Sequence, residues 1–490
     1  MRILVSWKKP ALDYEIRTLV QGLENSHEVV YWIGYESQKK EVKNNSKAVF
    51  HDADLARLNI KSSEIDDTNF EPIDSDIIKA SYKHESIVLS MMNRKFAGLS
   101  LDEKKHLYYE LLQYWNGVLT SLKPEVIIFN CLPHSVFNYV LYSLANYHNI
   151  KILTFLDTWE ADRMLVLDSI ETPIFFDELV ENNLNKGITE DDLSNELHFY
   201  YEAQINPNKD ATPNYIKKQI NDQKKSNVFL KKIKNKVLAL NYLLSGQDKF
   251  KKIKDLLKSK TRRHPKEYLI KEYKNLEQNP NLNQNYVYFA VHFQPERTTC
   301  PQGEMYNDQI LAIETLSHAL PNGWKIYVKE HPMQWWLRGS NDSDRFLSVR
   351  YKGYYKKIAR LKNVILVSPE FSTFKLIEKA KAISTITGTV GWESIMRQKP
   401  VMIFGNAWYK NFPKVFRIIG ADSVKQAFFE IQNGFEVKKQ DVLDYLYKVD
   451  QGSFHGFVDE FGEKNSLVPN EQNAEKVSKI IIEALKKYEK

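Results

Sequence analysis

The amino-acid sequence predicts an α/β protein built from two Rossmann-like, doubly wound domains. Short apolar runs rich in β-branched residues recur in both halves of the chain, and each is followed by polar residues and then by a segment with helical spacing. Segments 2–33 and 286–404 show this alternation most clearly. At 490 residues the chain is too long for a single core, so more than one domain is expected.

The N-terminal domain is predicted over residues 1–200. Its opening alternates a buried strand, a helix and a second strand, as βαβ units do. Residues 36–75 are polar and weakly periodic, so no element is predicted there. The predicted strands cover 2–6, 27–33, 123–130 and 151–155, and the predicted helices cover 13–24, 75–96, 102–121 and 137–147.

A basic helical linker or insertion is predicted over residues 201–280. Between 217 and 274 the sequence contains 19 Lys and Arg against 5 Asp and Glu, with apolar residues interleaved at helical spacing. Two interpretations stay open. The segment is either a solvated helical linker or a basic amphipathic surface held against an anionic inner membrane leaflet.

The C-terminal domain is predicted over residues 281–460. Regular, closely spaced strands and helices are typical of a parallel sheet with helical crossovers. Within the last stretch, 461–490, an amphipathic helix at 473–487 is expected to pack back on the N-terminal domain. The predicted strands cover 286–292, 325–329, 364–367, 382–385 and 400–404, and the helices 307–320, 372–379 and 390–397.

Composition excludes several classes of protein. A hydrophobic fraction of 43% with 12% aromatic residues is globular rather than disordered. Two cysteines are too few for a disulfide framework, and the N-terminus lacks the apolar core of a signal peptide, so a cytoplasmic location is expected. The net charge of +7 does not indicate nucleic-acid binding.

Three polar segments follow predicted strands of the C-terminal domain. They are 292–299, Lys329 to Pro332 and Thr387 to Glu393. Ligands of open α/β sheets bind beyond the carboxyl ends of the strands, so one crevice is expected. The predicted donor-site residues are His292, Gln294, Arg297, Thr298, Lys329, Glu330, His331, Pro332, Thr387, Gly388, Thr389 and Glu393.

The segment from Thr387 to Glu393 lies between a strand and a helix. Glycine allows a tight turn, and the first N–H groups of a helix together with its dipole favour a phosphate. The alternative is an ordinary helix start capped by Thr389. Glu393 is suited either to accept hydrogen bonds from ribose hydroxyls or to complete a capping box.

Lys329 and His331 end a predicted strand and supply a point charge and a directional donor for a leaving phosphate. Glu296 is a candidate general base or carboxylate nucleophile. Arg297 would hold a carboxylate or phosphate, unless it simply pairs with Glu296.

Further catalytic candidates follow strands of the N-terminal domain. His134, Asp157 and Glu160 lie at or just beyond predicted strand ends, where they would face the same crevice. Solvated loop positions are the alternative for all three. No sequence pattern requires a metal ion, and no cofactor is expected.

The motifs Lys329-Glu330-His331-Pro332 and Thr387-Gly388-Thr389-Val390-Gly391-Trp392-Glu393, followed by Lys399-Pro400-Val401, resemble those of bacterial capsule polysaccharide biosynthesis glycosyltransferases of the Kdo-transferase type. The resemblance is best over 286–410. It implies the GT-B fold, a CMP-activated donor bound by the C-terminal domain and an acceptor bound by the N-terminal domain. Glu296 stands where some relatives carry an Asp nucleophile.

The resemblance implies a glycosyltransferase that moves Kdo or a related acidic sugar from a CMP-linked donor to an oligosaccharide or lipid-linked glycan. On this interpretation the protein is cytoplasmic, with a peripheral position at the inner face of the membrane left open. Three alternatives remain: a CDP-polyol phosphotransferase of teichoic-type polymer synthesis, a nucleotide-sugar epimerase, and a non-catalytic glycan-binding assembly subunit.

Overall fold

The computed structural model contains two α/β sheets. It describes residues 1–158, 163–170, 187–206, 265–336, 349–466 and 468–489. The strands are β1 (Arg2–Trp7), β2 (Glu28–Gly34), β3 (Val49–Asp52), β4 (Val126–Phe129), β5 (Lys151–Asp157), β6 (Arg163–Leu167), β7 (Tyr286–Ala290), β8 (Lys325–Lys329), β9 (Val364–Val367), β10 (Ala382–Thr385), β11 (Val401–Ile403), β12 (Val415–Arg417) and β13 (Phe454–His455).

Sixteen α-helices lie in the described ranges, together with short 3-10 turns at Glu36–Gln38, Glu190–Asp192, Glu304–Asn307 and Pro332–Trp336. The helices are α1 (Asp13–Glu24), α2 (Lys39–Asn45), α3 (Ala53–Arg57), α4 (Ser75–Met92), α5 (Leu101–Leu122), α6 (Val136–Tyr147), α7 (Asn195–Ile205), α8 (Pro265–Lys274), α9 (Gln309–Ala319), α10 (Tyr354–Ala359), α11 (Thr373–Lys379), α12 (Thr389–Met396), α13 (Ala421–Gln432), α14 (Lys439–Gly452), α15 (Glu460–Asn465) and α16 (Asn470–Lys486).

The second sheet has six strands in the order β12-β11-β10-β7-β8-β9, and all of its pairs are parallel. Buried side chains cover both of its faces, because alternate residues of each strand enter different hydrophobic clusters. Tyr286 and Tyr288 join one cluster, whereas Val287 and Phe289 join the other. The sheet is therefore doubly wound, as the alternation of apolar runs and helices predicted.

The first sheet has seven strands in the order β13-β6-β5-β4-β1-β2-β3. Its five strands β1 to β5 pair in parallel, but β6 runs antiparallel to β5, and β13 runs antiparallel to β6. The sequence pattern missed β3, β6, β12 and β13. Of these, β3, β12 and β13 are short and lie at sheet edges, where alternation along the chain gives little signal, whereas β6 follows β5 as its antiparallel partner.

The C-terminal helix packs on the first sheet's domain. In α16, Val477, Ile481, Ala484 and Leu485 recur at helical spacing and are buried in the same cluster as Ile16 and Leu19 of α1. This is the predicted crossing helix, and the two sheets confirm the predicted α/β fold class with two Rossmann-like domains. Most of the predicted basic segment lies outside the described residues.

The two domains share one hydrophobic cluster. Leu132 and Leu165 of the first domain and Leu197 of α7 are buried together with Tyr286 and Trp392 of the second. Polar bonds add to this contact, since the guanidinium of Arg397 donates to the Gln204 carbonyl at 3.0 Å. Residues that follow strands of both sheets also approach each other, since Arg297, after β7, lies close enough to His134, after β4, to help lower its pKa. In the described ranges, no helix combines the length and the apolar character that a bilayer-spanning segment needs.

Candidate active site

Three neighbouring parallel strands end at one edge of the second sheet. In the order β10-β7-β8 they finish at Thr385, Ala290 and Lys329. Because parallel strands share one direction, the three polar segments singled out in the sequence begin side by side.

His292 follows β7 and fixes the turn after β10. Its Nε2 accepts hydrogen bonds from the backbone N–H groups of Ile386, at 3.2 Å, and Thr387, at 3.1 Å, and lies 2.8 Å from the Thr385 hydroxyl. Burial, together with the nearby His331 and Arg350, lowers the pKa of His292 to about 3. The ring is therefore neutral. Through these hydrogen bonds the nitrogen holds the predicted phosphate-binding turn in place, so it is not itself available to a ligand.

The turn ends at Gly388, which is the N-cap of α12 and provides no side-chain cap. A Cβ at this position would lie 2.8 Å from the Thr385 hydroxyl and 3.2 Å from the His292 ring, so only glycine fits without displacement. Among the described residues, no protein group accepts from the backbone N–H groups of Thr389 and Val390. The start of α12 thus carries backbone N–H groups without a protein acceptor in the described ranges, and Gly388, not Thr389, is its N-cap.

The other residues of this turn have defined partners. The Thr387 hydroxyl donates to the Thr298 carbonyl at 2.5 Å, which joins the turn to the loop after β7. Glu393 bonds the Thr389 side chain and lies 4.0 Å from Arg397, while burial raises its pKa. Its position in the helix excludes the capping box that the sequence left open, because the N-cap is Gly388.

Lys329, Glu330 and His331 point to alternate sides of the end of β8. The ammonium group of Lys329 donates to the Phe371 carbonyl and the Thr373 hydroxyl, both at 2.7 Å, and burial lowers its pKa to about 8. His331 is half-buried beside the Phe293 ring, and mainly burial lowers its pKa to about 4. His331 is therefore neutral.

Glu330 forms a buried ion pair with Arg350, and the side chains of both are 0% exposed. Its carboxylate accepts from the Arg350 Nε at 2.7 Å, the Tyr355 hydroxyl at 2.8 Å and the His331 backbone N–H at 2.7 Å. These bonds occupy the carboxylate within the protein. Glu330, predicted to contact the donor, therefore positions the site instead.

Arg350 also holds the loop after β7. Its guanidinium donates to the Gln294 side-chain oxygen at 2.8 Å and to the His292 carbonyl at 3.0 Å. Gln294 is buried, and its backbone is bonded to the Gln334 side chain, so it too supports the loop from within. The sequence analysis missed Arg350. The only signal was an acidic residue at a buried strand end, which requires a cationic partner.

The remaining residues of the β7 and β8 loops lie nearer the surface. Glu296 is exposed, and Pro332 is exposed at the start of a 3-10 turn. The Arg297 side chain is 15% exposed, and its guanidinium lies 3.9 Å from the Asp459 carboxylate.

Across the crevice, His134 follows β4. Its Nδ1 lies 2.8 Å from the Leu132 carbonyl, which can only accept, so Nδ1 carries the proton and Nε2 holds the lone pair. Burial, then the charges of Lys8 and Arg297, hold the pKa of His134 well below its usual range. The imidazole of His134 is therefore neutral, with the lone pair on Nε2.

Asp157, another candidate of the first domain, lies in a different structural element from the one expected. Asp157 ends β5 opposite Met164 in an antiparallel pair, so it belongs to a hairpin and not to a strand followed by a helix. Arg163 at the start of β6 forms a buried ion pair with Asp450. Glu160 lies outside the described residues. Within the described ranges, no three His, Cys, Asp or Glu side chains are grouped as metal ligands.

We expect Arg350→Met to lower the free energy of unfolding by about 3–5 kcal/mol, because Glu330 would remain buried without its partner. The double variant Arg350→Met with Glu330→Gln should recover part of this loss, since neither charge remains. Urea denaturation measures both. As a control, Lys425→Met breaks an exposed pair with Asp422 and should cost less than about 1 kcal/mol. Equal losses of unfolding free energy in Arg350→Met and Lys425→Met would contradict the structure.

Stability should fall as the pH is lowered below 6.5. The folded pKa values of His292 and His331, about 3 and about 4, lie below the unfolded value of 6.5, so the unfolded state binds protons first. Each histidine should cost about 1 kcal/mol per pH unit between 6.5 and its folded pKa. Melting temperatures measured from pH 7 to 5 test this slope, which His292→Asn should reduce. An unchanged slope would contradict the neutral buried ring.

The comparisons with known proteins agree with the motifs on the C-terminal side. Residues 260–412 match the family model described as capsule polysaccharide biosynthesis protein. No curated protein matches the chain at a significant level. Many solved structures do match, all of those compared in detail at low identity.

Two of these structures illustrate the range. The β-Kdo 2,7 transferase KpsC of Thermosulfurimonas dismutans is 10% identical, with 80% of this chain and 95% of that chain covered and a TM-score of 0.29. The UDP-GlcNAc 2-epimerase of Methanocaldococcus jannaschii is 12% identical, with 98% and 99% covered and a TM-score of 0.24. Such scores carry no argument about function, and the fold rests on the two sheets themselves.

The sequence match therefore bears on the site itself, because it spans the strand ends that build the crevice. Over residues 260–412 the chain carries the sequence features of the capsule polysaccharide biosynthesis proteins, as the motifs at Lys329 and Thr387 predicted.

Proposed function

We propose that this protein is a glycosyltransferase that transfers a sugar from a nucleotide-activated donor to a bacterial surface glycan. The donor we propose is CMP-linked, with Kdo or a related acidic sugar as the transferred group. The observation that carries the proposal is the open start of α12. There Gly388 brings unpaired backbone N–H groups to the same sheet edge as His331 and the loop after β7.

The donor phosphate would bind at the N-terminus of α12. The N–H groups of Thr389 and Val390 and the helix dipole favour a negative charge there. This charge stays on the nucleotide when the bond to the sugar breaks, so the same groups stabilise the departing phosphate. Glu393, one turn further along α12, would accept hydrogen bonds from the ribose hydroxyls.

Two side chains near the proposed phosphate position, His331 and Lys329, would not act as simple cationic ligands. His331 is neutral, so it would donate one directed hydrogen bond to a phosphate oxygen. Lys329 is bonded to the loop after β9, so its charge acts from the side of the crevice and also orders that loop. The site would thus rely on preorganised dipoles as well as on charge.

The acceptor hydroxyl would lose its proton to Nε2 of His134. This nitrogen carries a lone pair because Nδ1 donates to the Leu132 carbonyl. The low pKa keeps the imidazole neutral at physiological pH, and the proton moves to it as the new glycosidic bond forms. Glu296, exposed on the opposing loop, is the second candidate for this step.

Thermal shifts with CMP, CDP, UDP and GDP test the donor site. CMP at about 100 times its Kd should stabilise the fold by about 2.7 kcal/mol and raise the melting temperature. Gly388→Val should remove the shift, because the added side chain collides with Thr385 and His292. The matched control is Gly98→Val, where an added Cβ meets nothing within 4 Å.

A shift with UDP or GDP alone would overturn the CMP donor, and the absence of any nucleotide shift would overturn the proposed function. A shift with CDP but not CMP would favour the polyol phosphotransferase.

His134→Gln should lower kcat by about 10²- to 10⁴-fold in a CMP-release assay with a glycan acceptor, because the base is lost. In the wild type, kcat/KM should stay level above pH 6.5, since the pKa of His134 lies below that value. His106→Gln, at a histidine whose side chain is 78% exposed on α5, should keep the wild-type rate. Full activity of His134→Gln with loss in Glu296→Gln would assign the proton transfer to Glu296 instead.

A further inference from the structure

The first domain contains a buried lysine beside the proposed general base. Lys8 follows β1, is 8% exposed, and donates from its ammonium group to the Ser135 hydroxyl at 3.1 Å. Mainly burial lowers its pKa to about 8. Among the described residues, no carboxylate lies within 4.0 Å of this ammonium group, whereas the adjacent Lys9 is bonded to Glu15.

A buried charge without a carboxylate is costly, and one hydroxyl does not offset that cost. A methionine or leucine would fill the same space without it. The Lys8 ammonium also lies 5.4 Å from the centre of the Phe137 ring, which orients the side chain but supplies no carboxylate. The position is therefore suited to an anion that arrives with a ligand.

The surroundings of Lys8 favour the same kind of ligand. Ser135 is the N-cap of the twelve-residue helix α6, and its hydroxyl makes no capping bond. Within the described part of the chain, no protein group accepts from the backbone N–H groups of Phe137 and Asn138. The positive end of this helix dipole thus lies next to the Lys8 ammonium.

Two arginines extend the positive region to the opposite domain. Arg94 donates to the carbonyls of His134, at 2.9 Å, and Cys300, at 2.6 Å, and so connects both sides of the crevice. Arg297 lies close enough to lower the pKa of His134 and stands 3.9 Å from Asp459, an acidic group facing this region. Thr298, the next residue, bonds to the donor turn through Thr387.

From this geometry we propose that Lys8, Ser135 and the N-terminus of α6 bind an anionic group of the acceptor, a phosphate or a carboxylate. The inference rests on the proposed function, because it places the acceptor beside His134. Binding the anion there would hold a neighbouring hydroxyl of the same molecule near Nε2 of His134. An acidic acceptor would thus be preferred over a neutral one.

Inorganic phosphate is the probe, titrated calorimetrically into the CMP-saturated full-length protein. We expect phosphate to bind, and Lys8→Met to weaken it by about 10- to 100-fold, as loss of a charge-assisted hydrogen bond implies. Lys8→Arg should retain binding. Lys79→Met, at a lysine whose side chain is 69% exposed on α4, should have no effect. The CMP affinity should be the same in all four proteins.

Two results would overturn the inference. One is that Lys8→Met binds phosphate as the wild type does. The other is that CMP displaces phosphate and Lys8→Met weakens CMP, which would assign the cluster to the donor. A failure of the proposed function can be told apart from a failure of this inference. Even if CMP binds to neither the wild type nor Gly388→Val, both proteins should still bind phosphate in a Lys8-dependent manner.

Discussion

The buried ion pair between Glu330 and Arg350 is the interaction on which the crevice depends. One guanidinium contacts the end of β8 through Glu330 and the loop after β7 through Gln294 and the His292 carbonyl. Two charges out of water are tolerated only when their hydrogen bonds are nearly complete. Because the pair meets that condition, it reinforces the pairing of β7 with β8 and the contact between Phe293 and His331 at the two strand ends.

Next to this ion pair, His292 organises the inner part of the site. Burial, with the nearby His331 and Arg350, lowers the pKa of His292, so the ring is neutral and its Nε2 can accept from the backbone of the turn before α12. At the end of that turn, Gly388 is the N-cap of α12 and provides no side-chain cap. The backbone groups at the start of α12 are therefore supported indirectly by a buried ion pair, as in preorganised sites.

The two domains contribute different chemistry to the crevice. The second domain provides backbone dipoles and neutral donors at the end of a fully parallel sheet, suited to a phosphate. The first provides a neutral histidine, His134, and the buried ammonium group of Lys8 at the start of α6. Their shared hydrophobic cluster, with Leu132 and Trp392 among its members, sets the distance between these groups.

The sequence by itself determined the strands and helices around the crevice. The β-branched runs ending at Lys329 and Thr385 predicted β8 and β10 with their observed bounds, because periodicity is a local property. The sequence did not reveal the ion pair of Arg350 with Glu330, the antiparallel hairpin that carries Asp157, or which groups are charged. Those depend on contacts between residues far apart in the chain and on burial, and only the tertiary structure decides them.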